Sequence, residues 1–370
     1  MTDTGDEDRK RMKKAPAEKK YLDIWTAEVT GEDSLSRDGL DLYTEGKLRD
    51  ILKFTYENSI FYREMLGNCD LFPGILELEG RGFMDAFGRL PMTSSDDLRA
   101  RGMDLLCVRP GDISRIVTLD TGGTTGKPKR IYFTHEDQQL TVDYFGNGMQ
   151  LIVDDTDCVM ILMPAQIPGS IGRLLSEGLQ NFGVRVIEYG LPGFFPGPDG
   201  SCDDSEVDEI IDIMKREGVT SVVALPTHMR AVAESAGTDV SLRSMLLSAE
   251  YVPEDDVRLF EESFGCSVYE HYGMTEMGLG CAVSCGRGAG YHIREADLYI
   301  EIIDPESGHV IHDDTPGEVV FTTLTRKGMP FIRYRTGDMS RWITEPCPCG
   351  SVLKRLARVN DRNEVKGYLR

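Results

Sequence analysis

The sequence predicts an α/β fold in which mainly parallel, helix-covered sheets are followed by a smaller antiparallel, barrel-like β region. Between residues 158 and 270, short apolar runs alternate with amphipathic segments of helical period, which is typical of a parallel sheet covered by helices. After about residue 297 the helical segments stop, and strand-like runs follow one another across turns that contain Pro and Gly. A chain of 370 residues is long enough for one large domain or two.

The alternating region divides into strands and helices whose ends are marked by glycines. Apolar runs predict strands at 158–163, 184–189, 219–225 and 266–270. Amphipathic segments predict the intervening helices at 170–182, 204–218 and 253–265, and their ends are marked by Gly183, Gly218 and Gly265. A further helix is predicted upstream, at 44–66, and its apolar face consists of Leu48, Ile51, Leu52 and Tyr56.

The β region begins with a hairpin, "LYIEIID" and "HVI" around the turn "PESG", and continues with the runs "GEVVFTTL", "FIRYRTGD" and "MSRWI". We therefore expect an α/β core at 21–296, a β-rich subdomain of the same core at 297–357 and a hinge remnant at 358–370. Residues 1–20 are almost entirely polar and predict a disordered tail.

Composition limits the classes of function. With 41 Lys and Arg against 62 Asp and Glu, the formal charge of −21 repels nucleic acid and anionic membrane surfaces. An anionic substrate must therefore be attracted by a local cluster of cations. Nine cysteines without a signal peptide indicate a reducing cytoplasm, and we find no apolar run of membrane-spanning length.

A loop of glycines and threonines lies between predicted strands at 116–119 and 130–134. It is not a P-loop, because Lys127 is followed by Pro128 and then by a strand instead of a helix. The loop offers backbone N–H groups, hydroxyls and a cation for phosphate, supplied by Gly122, Gly123, Gly126, Thr121, Thr124, Thr125 and Lys129. A flexible hairpin turn with solvated charges is the alternative, and the loop alone does not decide between them.

Two later stretches carry further candidate ligand-binding residues. The stretch "EHYGMTE" (270–276) follows a core strand, where open α/β sheets place their ligands. It offers the flat ring of Tyr272, close backbone approach at Gly273, the hydroxyl of Thr275 and a hard oxygen for Mg²⁺ on Glu276. The stretch "RYRTGD" (333–338) supplies two arginines and Asp338. Each stretch alone occurs in many folds.

Together and in this order, "TGGTTGKPKRIYFTH", "YGMTE" and "YRTGD" resemble the signature motifs of the adenylate-forming acyl-CoA synthetase superfamily. The stretches "ILKFTYENSIFYREML", "HIREADLYIEIIDPESG" and "GEVVFTTLTRKGMPFIRYRTGD" are similar to the phenylacetate–CoA ligase-like branch. The resemblance spans roughly residues 44–361. It implies the large N-terminal domain of an adenylate-forming enzyme that uses ATP and Mg²⁺ to convert a carboxylic acid into an acyl-adenylate, related to enzymes that then use CoA.

The resemblance also implies roles for individual residues. Residues 121–126 with Lys129 would hold the β and γ phosphates, and Thr275 would contact the α-phosphate. Tyr272 would stack on adenine beside Ala249 and Glu250, Glu276 would hold Mg²⁺, and Asp338 would accept both ribose hydroxyls. Arg358 matches the arginine before the family's hinge, and Asp361 matches the hinge. The predicted catalytic residues are Thr124, Lys129, Glu276 and Arg335.

The chain departs from a full synthetase after the hinge. It ends at Arg370, so the resemblance implies that the C-terminal lid domain is absent. A natural adenylating core that acts with a partner protein, a truncated chain and a protein that only binds AMP or an acyl-adenylate are three explanations, and we favour the first. The partner would supply the lid or accept the acyl group. Thioester formation by this chain alone is less secure than adenylation, and a homodimer is left open.

The acid-binding pocket is expected from residues 164–166, 226–228 and 278–280 together with His271. Gly278 and Gly280 would leave space for a flat ring, which favours an aryl or arylacetic acid. His228 is either a base in this pocket or the cap at the start of a helix, and we favour the cap.

A separate pattern indicates zinc. Cys285 and His292 are close in sequence, and "PCPCG" brings Cys347 and Cys349 from a distant segment. Three cysteines and a histidine form a standard closed zinc site, and some phenylacetate–CoA ligase-like proteins carry one. The alternative is a group of ordinary buried cysteines, and Cys281 complicates the choice of ligands.

Overall fold

The computed structural model describes residues 21–119, 128–193, 204–236 and 239–359. The predicted tail at 1–20 and the predicted hinge residue Asp361 lie outside the described residues. So do the loop residues of the predicted phosphate site, which are Thr121, Gly122, Gly123, Thr124, Thr125 and Gly126.

The α-helices of the described residues cover both faces of the main sheet and build the N-terminal part of the chain. They are α1 (Tyr21–Thr30), α2 (Arg37–Asn58), α3 (Ile60–Gly67), α4 (Gly80–Phe87), α5 (Ser95–Arg101), α6 (His135–Met149), α7 (Ile171–Gln180), α8 (Asp204–Glu217), α9 (Pro226–Ala236) and α10 (Glu254–Phe264). None of the helices in this part of the chain is long and apolar enough to cross a membrane.

The strands of the described residues are mostly short, and the two longest have seven residues each. They are β1 (Arg115–Leu119), β2 (Lys129–Phe133), β3 (Cys158–Ile161), β4 (Arg185–Glu188), β5 (Ser221–Ala224), β6 (Ser244–Leu247), β7 (Ser267–Tyr272), β8 (Ala282–Val283), β9 (Tyr291–Ile293), β10 (Leu298–Ile303), β11 (Val310–Ile311), β12 (Gly317–Thr323), β13 (Tyr334–Ser340), β14 (Trp342–Ile343) and β15 (Arg355–Leu356).

The largest sheet is mixed, with the strand order β14-β15-β9-β8-β7-β6-β5-β3-β4. Strands β4, β3, β5, β6 and β7 pair in parallel, and the pairings from β7 through β8, β9, β15 and β14 are antiparallel. Every residue of β3, β5 and β6 is buried, because helices pack on both faces of the parallel part. The predicted α/β class is confirmed.

Two smaller antiparallel sheets flank this one. Strands β11, β10, β12 and β13 form the first, and β1 and β2 form the second. The two predicted strands that flank the phosphate loop are therefore present, with Leu119 paired to Lys129 at the loop end of the β1–β2 hairpin. Strands β14 and β15 extend the large sheet through β9, so residues 297–357 contribute to both sheets.

The predicted helix at 44–66 differs from the structure in a specific way. It starts earlier, at Arg37, and it is broken at Ser59, whose backbone is extended (φ −105°, ψ 131°). The Ser59 hydroxyl accepts a hydrogen bond from the N–H of Tyr62 (3.2 Å) and donates one to the carbonyl of Asp104 (2.7 Å). Ser59 caps the second helix. The helical spacing of apolar residues continues across Ser59, so the sequence pattern alone predicts one helix instead of two.

Candidate active site

The turn after β7 places Glu276 in a buried position. Glu276 lies in the 3₁₀ turn Thr275–Met277, and its side chain is 1% exposed. Behind it, Nη1 of Arg326 donates a 2.6 Å hydrogen bond to the main-chain carbonyl of Glu276. The Arg326 guanidinium lies 4.2 Å from the ring centre of Phe133, and burial lowers its pKa to about 10. A buried cation therefore fixes the backbone of the turn.

Two donors reach the same oxygen of the Glu276 carboxylate. Nζ of Lys129 lies 2.6 Å from Oε1, and the hydroxyl of Tyr334 donates to it at 3.3 Å. Burial, and then the negative charge of Glu276, raises the pKa of Tyr334 well above its usual range, so this phenol stays a neutral donor. Lys129 is the first residue of β2, so the β1–β2 hairpin carries one end of the predicted phosphate loop to Glu276.

Tyr272 and Asp338, predicted for adenine and ribose, are in contact. The hydroxyl of Tyr272 donates a 2.9 Å hydrogen bond to Oδ2 of Asp338. Burial and the nearby Asp338 charge raise the pKa of Tyr272 well above its usual value. An irregular register between β12 and β13, with Gly337 at φ 77°, precedes Asp338. Such a bulge re-aims the following side chain next to a site.

Strand alternation separates Tyr334 from Arg335. Successive residues of a strand point to opposite faces, so when Tyr334 faces Glu276 its neighbour faces away. The guanidinium of Arg335 forms an ion pair with Glu318 on β12 and donates to the carbonyl of Pro305 (3.0 Å). The structure does not bring Arg335 to Glu276, and its catalytic role stays a prediction. Tyr334 was missed, although it lies within the motif "YRTGD".

Ala249 and Glu250 follow the carboxyl end of β6, at the sheet edge where β7 also ends. Ala249 has a left-handed backbone (φ 72°), which is uncommon for a residue with a Cβ. The Glu250 carboxylate accepts hydrogen bonds from the N–H and hydroxyl of Thr227, at 3.2 and 2.5 Å, at the start of α9. Both residues thus belong to a loop with a defined conformation.

Glycine at position 273 is required by close packing. A Cβ there would lie 2.8 Å from both the Cα of Gly280 and the carbonyl oxygen of Leu279. The two sides of the segment between β7 and β8 therefore touch through backbone atoms. Further along, Arg358 forms an ion pair with Glu270, which also accepts a 3.0 Å hydrogen bond from Tyr291. This pair ties the last described residues to β7.

The predicted acid pocket is only partly matched. His271 lines a small cavity between α6, α7 and the sheet, together with Tyr144 and Phe145. Among the described residues, neither 164–166 nor 226–228 lines this cavity. Gly280 leaves no space for a ring, because the ring of Tyr144 already packs against it. His228 is fully buried in the first turn of α9, and burial lowers its pKa.

The predicted zinc ligands lie together. The ligand atoms of Cys285, His292, Cys347 and Cys349 are all within 4.8 Å of one another. The sulfurs of Cys285 and Cys347 are 3.6 Å apart, and Cys349 Sγ lies 3.4 Å from Nε2 of His292. Zn–S bonds of about 2.3 Å in a tetrahedron need separations of this order, about 3.8 Å between sulfurs. The donor set and its spacing therefore fit zinc.

The acidity of the cluster also suits a cation. The hydrogen bond between Cys349 and Cys285 lowers the pKa of Cys285 and raises that of Cys349, so one thiolate is favoured. Cys281 lies outside the group. It is fully buried in the hydrophobic core, and burial raises the pKa of its thiol to about 12. The structure thus separates Cys281 from the four candidate ligands.

Comparison with known proteins gives one family match and several similar curated proteins. The family model described as AMP-binding enzyme matches residues 193–324. A phenylacetate–coenzyme A ligase of Thermus thermophilus is 27% identical over 347 residues, which cover 90% of this chain and 72% of that protein. The phenylacetate–coenzyme A ligase of Escherichia coli (strain K12) is 25% identical over 344 residues, covering 90% and 73% respectively. Residues 193–324 therefore match the AMP-binding enzyme family, and most of the chain is similar to phenylacetate–coenzyme A ligases.

The fold of this chain is also found in a solved structure. An open conformation of 2-hydroxyisobutyryl-CoA ligase, in complex with 2-HIB-AMP and CoA, superposes with a TM-score of 0.75. The match covers 89% of this chain and 71% of that chain at 18% identity. At this identity the likeness concerns the fold alone. Since that fold is the one of an acyl-CoA ligase, the fold implied by the three sequence motifs is confirmed.

Proposed function

We propose that this protein is an AMP-binding enzyme that activates a carboxylic acid with ATP and transfers the acyl group to CoA. A carboxylate oxygen of the acid attacks the α-phosphorus of ATP, the bond to the bridging oxygen breaks, and pyrophosphate leaves. The acyl-adenylate then gives its acyl group to the CoA thiol and releases AMP. The observation that supports this most directly is the Lys129–Glu276–Tyr334 contact, because it joins the phosphate hairpin to the turn after β7.

The residues act by positioning and by charge, since no side chain needs to be a nucleophile. The Lys129 ammonium would stabilise negative charge on the phosphates. Asp338 would accept hydrogen bonds from the ribose hydroxyls, with Tyr272 holding its carboxylate in place. Roles for Thr275, Ala249, Glu250 and Arg358 stay as the sequence predicts them. They lie on the turn and loops that surround these residues.

Glu276 fits the requirement for magnesium. Mg²⁺ prefers hard oxygen ligands and is often held by one carboxylate together with substrate phosphates. Glu276 supplies such a carboxylate, and the Lys129 ammonium lies beside it where a cation is favoured. When bound, Mg²⁺ would neutralise charge that develops on the phosphates. The chain itself fixes the position of this carboxylate, because Arg326 donates a hydrogen bond to the main-chain carbonyl of Glu276.

The acid is proposed to be aromatic. The matching relatives include phenylacetate–coenzyme A ligases and a 2-succinylbenzoate–CoA ligase of Bacillus cereus (strain Q1), and the substrates in these names contain an aromatic ring. An apolar cavity behind β7 is consistent with a ring placed nearby. The alternative, a protein that binds AMP without catalysis, is not favoured by these relatives. A partner protein, a homodimer and a cytoplasmic location stay predictions.

Acid-dependent ATP–pyrophosphate exchange tests the proposal. Purified protein with ATP, Mg²⁺ and labelled pyrophosphate should exchange label only when a suitable carboxylic acid is present. A panel of aryl, arylacetic and aliphatic acids should show the highest rate with an aromatic member. AMP binding without exchange across the whole panel would favour the binding-only alternative. CoA consumption with the best acid then tests the thioester step separately.

We also propose one structural zinc ion on Cys285, His292, Cys347 and Cys349. Cys285 lies between β8 and β9, His292 lies on β9, and Cys347 and Cys349 lie between β14 and β15. Closing this connection across more than fifty residues would stabilise a helix-poor region. The zinc would have no part in the reaction, because all four of its coordination positions would be filled by the protein.

A further inference from the structure

Arg333 is a buried arginine that the proposed reaction does not use. It is the first residue of the stretch "RYRTGD", and its side chain is 1% exposed, so it is too buried to contact a nucleotide. Nε of Arg333 donates a 3.0 Å hydrogen bond to Oε2 of Glu301 on β10, whose side chain is also 1% exposed. Nη1 donates a 2.5 Å hydrogen bond to the carbonyl of Leu90. The guanidinium is therefore anchored to two segments that carry none of the predicted site residues.

The backbone of Arg333 has a left-handed conformation. Its φ of 46° is uncommon for a residue with a Cβ and is costly unless surrounding contacts hold it. The N–H of Arg333 donates a 2.9 Å hydrogen bond to the hydroxyl of Thr322, and its carbonyl accepts one of 3.1 Å from the N–H of Thr93. The preceding residue, Ile332, donates its N–H to the hydroxyl of Tyr62 (3.0 Å). Main-chain and side-chain contacts together therefore hold Arg333 in this conformation.

The Arg333–Glu301 pair is not arranged to give the greatest stability. Burial raises the pKa of Glu301 above its usual value, although the charge of Arg333 opposes this shift. Oε1 of Glu301 and Nη2 of Arg333 are buried and have no hydrogen-bond partner among the described residues. Apolar residues of similar volume often replace a buried ion pair without loss of stability. The pair and the left-handed backbone are therefore better explained by a requirement for position.

Position matters here because Tyr334 is the next residue. Its hydroxyl donates to Oε1 of Glu276 at 3.3 Å, and the residue is 1% exposed. The side chains of Arg333 and Tyr334 leave the chain in different directions, one towards Glu301 and the other towards Glu276. A residue in the left-handed region bends the chain sharply. The anchored Arg333 therefore sets the direction in which Tyr334 enters β13.

We propose that Arg333, anchored by Glu301, is a positioning residue for adenylation, because it directs the hydroxyl of Tyr334 to the Glu276 carboxylate. This inference rests on the proposed acid-activating function and adds Arg333 and Glu301 to the residues that support it. Neither residue touches a substrate, and the pair acts only through the contact between Tyr334 and Glu276. Loss of the pair should relax the left-handed backbone and move the Tyr334 hydroxyl away from the carboxylate.

A double variant tests the pair without leaving a buried charge behind. Arg333→Met, Glu301→Leu removes both charges and keeps similar volumes, so the protein should fold, and thermal melting checks this. In acid-dependent exchange its kcat should fall by roughly tenfold, as far as in Tyr334→Phe, while the KM for the acid changes by less than about twofold. Arg333→Lys keeps a cation for Glu301 and should retain more of the rate than the double variant.

Combination with Tyr334→Phe separates positioning from a general loss of stability. If the pair acts through Tyr334, the triple variant Arg333→Met, Glu301→Leu, Tyr334→Phe should be no slower than Tyr334→Phe alone. Independent effects would multiply to a loss of roughly a hundredfold and would overturn the proposal. A wild-type kcat in the double variant would also overturn it.

Arg243→Met is the matched control, because it also removes an arginine from a buried carboxylate. Arg243 forms an ion pair with Asp157, whose side chain is 3% exposed. It precedes β6, at the end of the parallel strands opposite the turn that carries Glu276. The melting temperature of this variant should fall, but its exchange rate should stay within about twofold of the wild type. A loss of kcat as large as in the double variant would overturn the proposal, because lost stability would then explain both.

A crystal structure of the double variant tests the inference apart from the proposed function. The hydroxyl of Tyr334 should lie outside hydrogen-bond distance of the Glu276 carboxylate, with the main sheet unchanged. If no acid supports exchange in the wild type but Tyr334 has moved in the variant, the activity is wrong and the positioning stands. If Tyr334 keeps its contact with Glu276, the positioning role is wrong whatever the activity.

Discussion

Nζ of Lys129 lies 2.6 Å from Oε1 of Glu276, although the two residues are 147 positions apart in the chain. The Glu276 side chain is 1% exposed and that of Lys129 is 17% exposed, so this pair is shielded from water. A buried pair adds little net stability when intact, but removing one partner leaves an uncompensated charge. The pair therefore has consequences for both folding and catalysis.

Breaking the pair from one side should be worse for stability than removing it altogether. We expect Lys129→Met to lower the free energy of unfolding by roughly 3 kcal/mol, because the Glu276 carboxylate is left buried and unpaired. The double variant Lys129→Met, Glu276→Gln should recover part of this loss. Denaturant titration of both variants measures it. The pairing would be contradicted if the double variant lost more free energy of unfolding than the two single variants lose together. The rate of acid-dependent ATP–pyrophosphate exchange should fall by on the order of a hundredfold or more in each variant.

Binding of AMP should separate the roles of Asp338 and Glu276. Asp338→Ala should weaken AMP binding by roughly 2 kcal/mol, because hydrogen bonds to a charged carboxylate are lost. Tyr272→Phe keeps the ring but removes the donor to Asp338, so its effect should be smaller. Glu276→Gln should leave AMP binding nearly unchanged while exchange is lost, since its carboxylate serves the metal. Calorimetry with AMP gives these affinities, and equal losses for Asp338→Ala and Glu276→Gln would refute the separation of roles.

Neighbouring residues of β13 should respond differently to substitution. Tyr334→Phe removes a hydrogen bond to the Glu276 carboxylate and should lower the exchange rate by about tenfold. Arg335→Gln breaks the ion pair with Glu318 and should mainly reduce stability, by about 1 kcal/mol. Steady-state exchange and thermal melting distinguish the two effects. A loss of kcat in Arg335→Gln that exceeds the loss in Tyr334→Phe would restore the catalytic role predicted for Arg335.

The zinc proposal predicts about one zinc ion per chain in purified protein, measured by elemental analysis. The double variant Cys347→Ser, Cys349→Ser should lose it, because two of the four ligands are removed. Cys281→Ala is the matched control and should retain zinc, since Cys281 lies in the core outside the cluster. Zinc well below one equivalent in the wild type would rule out the site. Its retention in the double variant would do the same.

Stability should depend on His271 at mildly acidic pH. The folded protein holds the pKa of His271 at about 4, below the value of 6.5 for a free histidine. On acidification the unfolded chain binds a proton first, so the stability due to the neutral ring is present above pH 6.5. It is lost as the pH falls towards 4. Between pH 7 and pH 5 the free energy of unfolding should fall by roughly 2 kcal/mol for this reason. His271→Leu should remove that part of the pH dependence, whereas His309→Leu should keep it. Melting curves at the two pH values compare them.

Four of the five parallel strands were predicted from their apolar runs, and β6 (Ser244–Leu247) was not. The run at 219–225 needs no knowledge of its neighbours to be recognised as a buried strand, and β5 occupies Ser221–Ala224. Helix α6 was not predicted, although the capping box of Thr134 and Asp137 marks its start. The carboxylate of Asp137 also accepts hydrogen bonds from the N–H groups of Lys327 and Gly328, which no local pattern indicates.

Site residues could be predicted from the sequence where their chemistry depends on residue type. The direction in which a side chain points was harder to predict. Paired cysteines between Pro and Gly could be grouped with Cys285 and His292 from the sequence, and the structure brings these four together. The orientation of Arg335 could not be read from its motif, because a charged residue suits either face of a strand at the edge of a sheet. The ion pair between Arg333 and Glu301 appears only when the fold is known.

The backbone contact between Gly273 and Gly280 has a consequence for engineering of acid preference. The segment between β7 and β8 is held at both ends by strand pairing and in the middle by this contact, so it tolerates neither insertions nor larger residues. Helices α6 and α7 carry the opposite walls of the cavity that His271 lines. Designed libraries that vary Phe145 and Leu175 would therefore change the shape of this cavity and leave the turn that carries Glu276 intact.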